Sequence, residues 1–303
     1  MGGSSGYLKG AVSGFAAVSI WASWSVITRS AVTTNLNAWD IAELRFGVAG
    51  LLLAPVLLRR GLALDRLGSF GLAVIIAGNG APYALIAATG LQFAPAYDSG
   101  ALNPGCMPLF VALIATVVLK EQLSTTRKLG LFLILVGAVI IVAWHGWGRT
   151  WSISRTIGDA LFLLASFLTA CFTVTMRHAK LEPLHATALV ATGSLVIYLP
   201  IYLALYGACL AQLTVAEFTV QAVFQGVLVT IVALALYGRA IAILGASDAA
   251  AFGALVPALS ALFAIPLLAE WPTQSGWIAI VFVSIGVYLA SGGPLPLRWA
   301  LAH

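Results

Sequence analysis

An interrupted apolar segment occurs twice in this chain. The first copy covers residues 96–142 and is broken by Asn103-Pro104-Gly105 and Pro108. Pro257 lies 149 residues after Pro108 (257 − 108 = 149). The same offset of 149 pairs Ala101 with Ala250, Ala112 with Ala261, Leu113 with Leu262, Ala115 with Ala264, Leu119 with Leu268, Glu121 with Glu270 and Gly137 with Gly286. Nearer the start of each copy the offset is 148, and it pairs Gly10 with Gly158, Ala22 with Ala170 and Arg29 with Arg177. The repetition predicts two similar units that together fill the chain.

Each unit consists of apolar runs that are long enough to cross a bilayer. The chain is 61% hydrophobic and 8% charged, whereas soluble domains are about 25% charged, so a water-soluble globule is excluded. The runs lack the polar alternation of barrel strands, so we predict helices. A span needs about 20 apolar residues. The ten predicted spans are about 8–31, 38–58, 67–91, 96–119, 127–147, 156–178, 184–206, 218–241, 246–269 and 274–292.

The sequence therefore predicts an all-α integral membrane protein made of two five-helix units, at residues 7–148 and 156–293. If the N-terminus is cytoplasmic, eleven of the fifteen lysines and arginines face the cytoplasm and three face outside. This asymmetry is typical of the positive-inside rule and places both termini in the cytoplasm.

Five spans per unit is an odd number, so the second unit is expected to cross in the opposite sense. Glu121 would then face the cytoplasm, and its repeat partner Glu270 would face outside. Inverted repeats of this kind bind substrate near the midplane, in a central cavity between the halves, and alternate access by rocking. The step from this architecture to transport is an association rather than a derivation.

The repeated motifs resemble those of the drug/metabolite transporter superfamily, specifically its ten-helix members with two EamA repeats. The resemblance covers essentially the whole chain. The residues that carry it are Arg45-Phe46, Ala101 to Pro108, Leu119-Lys120-Glu121 and Gly137 in the first half, and Pro257, Glu270 and Gly286 in the second. Trp21 and Trp24 in the first span and Asn79, Pro82 and Tyr83 in the third are further similar to the YddG-type aromatic amino acid exporters.

This resemblance implies a secondary transporter that exports amino acids, aromatic ones and related metabolites, across a bacterial-type inner membrane. It implies a small-molecule substrate, no nucleic acid, no obligatory protein partner and a monomer. A broader exporter of metabolites, nucleosides or drugs is the alternative within the superfamily.

Polar residues at membrane depth are expensive and are therefore the first candidates for a binding site. Asn79 and Tyr83 are four residues apart, so they would share one face of the third span. Ser99 and Asn103 would share a face of the fourth span, beside the predicted break. The first pair either binds substrate or joins neighbouring helices by a hydrogen bond, and the second either lines the binding site or belongs to helix packing through small residues.

Acidic residues mark both predicted mouths of the cavity. Tyr97 and Asp98 start the fourth span on the outer side, and Asp248 starts the ninth span on the inner side. We expect each aspartate to be a helix N-cap or a gate with a possible role in proton coupling. Phe252 mirrors Asn103, and Ser260 lies two turns further along the same helix, so these two are expected to line the opposite wall.

Aromatic residues complete the predicted site. Trp21, Trp24 and Thr28 form a stripe on one face of the first span, and Tyr237 of the eighth span is a further wall residue. They either stack on a substrate ring or pack between helices. Arg45 is expected to be a structural charge that bonds carbonyls or reaches the outer interface.

Other classes of protein fit the sequence less well. An intramembrane lipid-modifying enzyme would need paired acids, a histidine dyad or a metal cluster at one depth, and Asp98 and Asp248 are predicted on opposite sides. A channel would not need broken, duplicated helices. No Walker motif is present, which excludes intrinsic ATP drive. We therefore expect no enzyme activity, no metal and no cofactor.

Overall fold

The structure is a computed structural model that describes residues 3–144, 152–206 and 213–292. Within these ranges every regular element is helical. The first half contains α1 (Gly3–Val32), α2 (Ala38–Arg60), α3 (Leu64–Asn79), α4 (Ala81–Phe93), α5 (Ala96–Leu102), α6 (Met107–Val118) and α7 (Thr125–Trp144). The second contains α8 (Ile153–His178), α9 (Pro183–Tyr206), α10 (Val215–Ala222), a π-helical segment (Val223–Val232), α11 (Ala233–Leu244), α12 (Ala246–Ala251), a 3₁₀ turn (Phe252–Leu255), α13 (Val256–Leu268) and α14 (Gln274–Ala290).

Nine helical stretches in the described ranges are long and apolar enough to cross a membrane. They coincide with the first nine predicted spans, where α3 with α4, α5 with α6, and α10 with α11 act as single stretches. The tenth predicted span coincides with α14, which has only 17 residues. The count of ten therefore stays a prediction. The predicted unit boundaries at residues 148 and 293 lie outside the described residues.

The predicted break of the fourth span is confirmed. Helix α5 ends at Leu102 and α6 begins at Met107. The ninth span is interrupted at the equivalent place, since the 3₁₀ turn at 252–255 lies 149 residues after 103–106. The repetition extends to the ends of these spans. Lys120 and Ala269 both have φ 53°, and the next amides, of Glu121 and Glu270, donate to Ala115 O and Ala264 O at 3.3 Å.

Helices α7 and α14 pack on each other through glycines at equivalent positions. A Cβ at Gly137 would lie 2.6 Å from Val283 Cγ2 and 2.9 Å from Ala279 O. A Cβ at Gly286 would lie 2.7 Å from Gly130 O and 2.7 Å from Ile134 Cγ1. Residues 130 and 134 are the repeat partners of 279 and 283, so each half offers the other the same surface. Small residues of this kind allow membrane helices to approach closely.

Other large contacts also join the two halves, with α2 on α9, α1 on α11, and α3 and α4 on α8. Two ion pairs follow the same pattern. Arg29 of α1 donates to Glu270 at 2.8 Å, and Arg177 of α8 pairs with Glu121. Arg29 and Arg177 are repeat partners, as are Glu121 and Glu270, so each half supplies one arginine and one glutamate to the other.

Candidate functional site

The stripe of Trp21, Trp24 and Thr28 on α1 faces the π-helical segment. Trp24 is 5% exposed, and its Nε1 donates to Oε1 of the fully buried Gln225 at 2.9 Å. The Gln225 amide nitrogen donates in turn to Thr28 Oγ1 at 3.1 Å. This buried network places a tryptophan, an amide and a hydroxyl together between the two halves.

The π-helical geometry explains how the eighth span receives these side chains. Its i→i+5 bonds are rare and occur frequently at functional sites. Here Trp21 Nε1 donates to the Val229 carbonyl at 3.4 Å, and Thr230 Oγ1 donates to the Gln225 carbonyl at 3.0 Å. The Trp21 ring lies 5.1 Å from the Tyr237 ring, centroid to centroid. The structure therefore brings Trp21, Trp24 and Tyr237 to one interface.

Hydroxyl groups continue this polar region from α1 to α5 and α13. Ser25 Oγ lies 3.2 Å from Ser99 Oγ, and both residues are buried. Ser260 Oγ donates to the Ala22 carbonyl at 3.3 Å. Ser99 and Ser260 therefore both contact α1, although they come from different halves of the chain.

The polar region reaches α4 through Asn103, which lies at the break between α5 and α6. Asn103 Nδ2 donates to Tyr83 Oη at 3.1 Å. The Arg45 guanidinium carbon lies 5.9 Å from the centre of the Tyr83 ring. Ser99, Asn103 and Tyr83 thus belong to one connected region beside α1.

The prediction that Asn79 and Tyr83 share a helical face is wrong. Helix α3 ends at Asn79, and Gly80, with φ −94° and ψ −149°, separates it from α4. The freed amide of Ala81 donates to Ser194 Oγ at 3.0 Å. Asn79 is half-buried and makes no hydrogen bond to a described residue, so the structure does not join it to Tyr83.

Asp98 is not a helix cap. Pro95 occupies the N-cap of α5, and the Asp98 side chain is fully buried. Arg155 of α8 donates through Nε to Asp98 Oδ2 at 2.8 Å, and its Nη2 lies 2.7 Å from the same oxygen in an ion pair. The same arginine donates to Tyr97 Oη at 3.1 Å. The predicted gate residues Tyr97 and Asp98 therefore form a cross-half cluster around Arg155.

Two further predicted site residues, Asp248 and Phe252, do not have the predicted surroundings. Helix α12 begins at Ala246 after Gly245, so Asp248 is not its N-cap. Phe252 packs against Val18 and Ala22 of α1 and belongs to the same apolar cluster as Val256 of α13. A Cβ at Gly14 of α1 would lie 3.1 Å from the Phe252 ring. Phe252 therefore packs on α1, whereas its repeat partner Asn103 bonds Tyr83.

Two cavities lie at the edges of this region. One, of about 320 Å³, is bounded by the end of α1 and the start of α10, including Asn35 and Glu217. The other, of about 370 Å³, has apolar walls from α2, α3, α4 and α9, including Trp39 and Tyr198. Neither is lined by any of the twelve predicted site residues, so the central cavity stays a prediction.

Sequence reasoning missed two residues of the observed constellation. Gln225 lies within an apolar run, and the pair that it forms with Gln221 one turn earlier was a signal available in the sequence. Arg155 entered the sequence analysis only as one of the three positive residues on the outer side, because nothing local to it indicates a partner 57 residues away.

Known proteins resemble this chain in fold and in sequence. A solved structure with 18% sequence identity aligns over 97% of this chain and 99% of its own chain with a TM-score of 0.62, so the two proteins share a fold. A riboflavin transporter of Brucella anthropi is 31% identical over 192 residues, 63% of this chain and 64% of that relative's length. An uncharacterized transporter of Archaeoglobus fulgidus is 28% identical over 278 residues, 90% of this chain and 93% of its own.

The match to a family covers both halves. The model of the EamA-like transporter family matches residues 8–143 and again residues 156–292. These two matches cover most of the chain, and its described part contains nine helical stretches that are long and apolar enough to cross a membrane. This protein is therefore a multi-pass membrane protein that belongs to the EamA-like transporter family of the drug/metabolite transporter superfamily.

Proposed function

We propose that this protein is a secondary transporter that exports aromatic amino acids and related metabolites from the cytoplasm. The observation that carries the proposal is the buried network of Trp24, Gln225 and Thr28 beside the Trp21 and Tyr237 rings. Aromatic side chains offer flat faces to a substrate ring, while an amide and a hydroxyl offer donors and acceptors to its polar end.

The transport mechanism that we propose is alternating access between two five-helix units of inverted topology. The exchange of Arg29–Glu270 and Arg177–Glu121 between halves supports it, because a two-fold axis generates contacts in such reciprocal pairs. The proposed orientation has both termini in the cytoplasm of a bacterial-type inner membrane, and the proposed state is a monomer. In this orientation the first pair lies at the outer end and the second at the inner end.

Riboflavin is a second candidate substrate. A relative with 31% identity is named a riboflavin transporter. Tryptophan and riboflavin share a planar, nitrogen-containing ring system, which the aromatic faces of Trp21, Trp24 and Tyr237 suit equally. The two differ in that tryptophan is a zwitterion and riboflavin carries no charged group at neutral pH.

The test is counterflow of labelled tryptophan in proteoliposomes made with and without the protein. Phenylalanine, threonine, a nucleoside and riboflavin are added in turn as competitors. We expect protein-dependent exchange that phenylalanine blocks and threonine does not. Absence of tryptophan exchange in folded protein would remove the amino acid assignment. Counterflow of labelled riboflavin in the same proteoliposomes would then support riboflavin, and absence of both would remove both substrates.

Replacing Trp24 by phenylalanine is expected to lower exchange about fivefold, because a hydrogen bond to a buried partner contributes about 1 kcal/mol and the amide of Gln225 loses its fixed orientation. Gln225→Leu should have a similar effect, and the double variant should lose little more than either single one. Exchange is measured in proteoliposomes with equal amounts of folded protein.

Trp271→Phe is the matched control, since Trp271 is 70% exposed. It should leave exchange unchanged. If Trp24→Phe and Trp271→Phe transport alike, the network around Gln225 is structural and does not contact the substrate.

A further inference from the structure

Arg45 is a buried cation that has no countercharge among the described residues. It lies in α2, roughly 10 Å along the helix from Ala38 at about 1.5 Å per residue, and it is 8% exposed. Its Nε is buried and has no hydrogen-bond partner, and the guanidinium forms no ion pair or hydrogen bond with any described residue. The expected bonds to carbonyls are thus not observed. A charge at this depth is costly and marks a functional site by default.

The neighbours of Arg45 hold it without neutralising it. Its guanidinium carbon lies 5.3 Å from the Phe46 ring centre and 5.9 Å from that of Tyr83. Such contacts orient the guanidinium plane and leave its N–H groups available. Glu43, two residues earlier, points about 200° away around the helix, so it does not serve as the counter-ion.

The region beside this guanidinium is already part of the candidate site. Tyr83, which packs on Arg45, accepts a hydrogen bond from Asn103 at the break in the fourth span. Broken helices at membrane depth are tolerated where they are buried in protein or line a water-filled cavity. A ligand bound there would lie between a fixed cation, an aromatic ring and an amide.

We propose that Arg45 binds the carboxylate of the transported molecule, with Tyr83 and Asn103 beside it. A guanidinium presents two parallel N–H groups that match the two oxygens of a carboxylate. The missing countercharge would then be the substrate itself. The proposal rests on the proposed function and adds that the substrate is an organic anion or a zwitterion, which favours an amino acid over riboflavin.

The experiment compares a charged ligand with its neutral isostere. Indole-3-propionate carries a carboxylate where indole-3-propionamide carries a neutral amide, and the two molecules are otherwise the same. Inorganic phosphate is a third probe. Their dissociation constants are measured from the thermal stabilisation of purified protein in detergent. We expect the propionate to bind about tenfold or more tightly than the amide to the wild-type protein. In Arg45→Gln that ratio should fall to about one, and in Arg45→Lys it should be intermediate.

Two controls separate a binding role from a structural one. Arg66→Gln changes an exposed arginine beside Asp65 and should leave the ratio unchanged. Without ligand, Arg45→Gln should melt at or above the wild-type temperature, because it removes a buried charge that lacks a partner. A clear loss of melting temperature would show that Arg45 is structural and would overturn the proposal.

The remaining outcomes are also decisive. If Arg45→Gln keeps the wild-type preference for propionate, or the wild type shows none, the proposal is wrong whatever the transport assay shows. If only phosphate binds in an Arg45-dependent way, the carboxylate assignment is wrong. If tryptophan counterflow is absent but the propionate preference depends on Arg45, the anion site stands and the amino acid function falls.

Discussion

Gly286→Val is expected to lower the free energy of unfolding by about 3 kcal/mol, the upper end for an overpacked core. The added Cβ would lie 2.7 Å from Gly130 O and 2.8 Å from the Ile134 amide nitrogen. Both contacts are to backbone atoms, so no side chain can move aside and α7 must separate from α14. We expect the melting temperature of purified protein in detergent to fall by about 5–10 °C.

The reciprocal contact gives an internal comparison. Gly137→Val should have an effect of similar size, because a Cβ there would lie 2.6 Å from Val283 and 2.9 Å from Ala279 O. Gly238→Val in α11 is the matched control, since nothing lies within 4 Å of a Cβ at that position. Equal melting of all three variants would contradict the packing of α7 on α14.

Arg155→Met is expected to lower the free energy of unfolding by about 3–5 kcal/mol, the usual result of removing one partner of a buried ion pair. The Asp98 side chain is 1% exposed, and Arg155 forms an ion pair with it, donates one hydrogen bond to it at 2.8 Å and donates another to Tyr97. Without the arginine, the buried Asp98 loses this ion pair while the repulsion from the buried Asp159 remains. Melting in detergent measures the loss.

A double-mutant cycle tests whether the effect passes through Asp98. Adding Asp98→Asn to Arg155→Met should recover part of the stability, because the buried carboxylate that lost the arginine is then replaced by a neutral amide. Arg60→Met is the control, since Arg60 pairs with Glu182 at the surface and such pairs contribute about 0–1 kcal/mol. If the double variant is no more stable than Arg155→Met, the arginine acts through its packing on Tyr97 instead.

Features that depend on neighbouring residues could be predicted from the sequence. The stripe of Trp21, Trp24 and Thr28 is set by helical periodicity, and all three contact the eighth span as one face. The break at Asn103-Pro104-Gly105 follows from residues that disfavour a continuous helix. The repeat also indicated that Glu121 and Glu270 have equivalent places, as their identical backbone geometry shows.

Features that depend on distant partners could not be predicted. The break at Gly80 could not be placed from the sequence, because Pro82 fits the first turn of α4 without marking where α3 ends, and because the hydrogen bond that satisfies the Ala81 amide comes from Ser194, 113 residues away. Asp98 matched the pattern of an N-cap, yet the half-buried Arg155 of α8 pairs with it. The π-helical segment carries no local signal in an apolar run.

The exchange of contacts between the halves has a consequence for how this protein is made. Arg29 enters the membrane early in synthesis, but its partner Glu270 follows 241 residues later. At about 5–20 residues per second, the ribosome needs roughly 10–50 s to supply it. During that interval the nascent first half holds an arginine without its acid and a glycine face on α7 without its partner helix. Correct assembly therefore depends on the insertion machinery or on lipid headgroups keeping this half-made protein from pairing with another copy of itself.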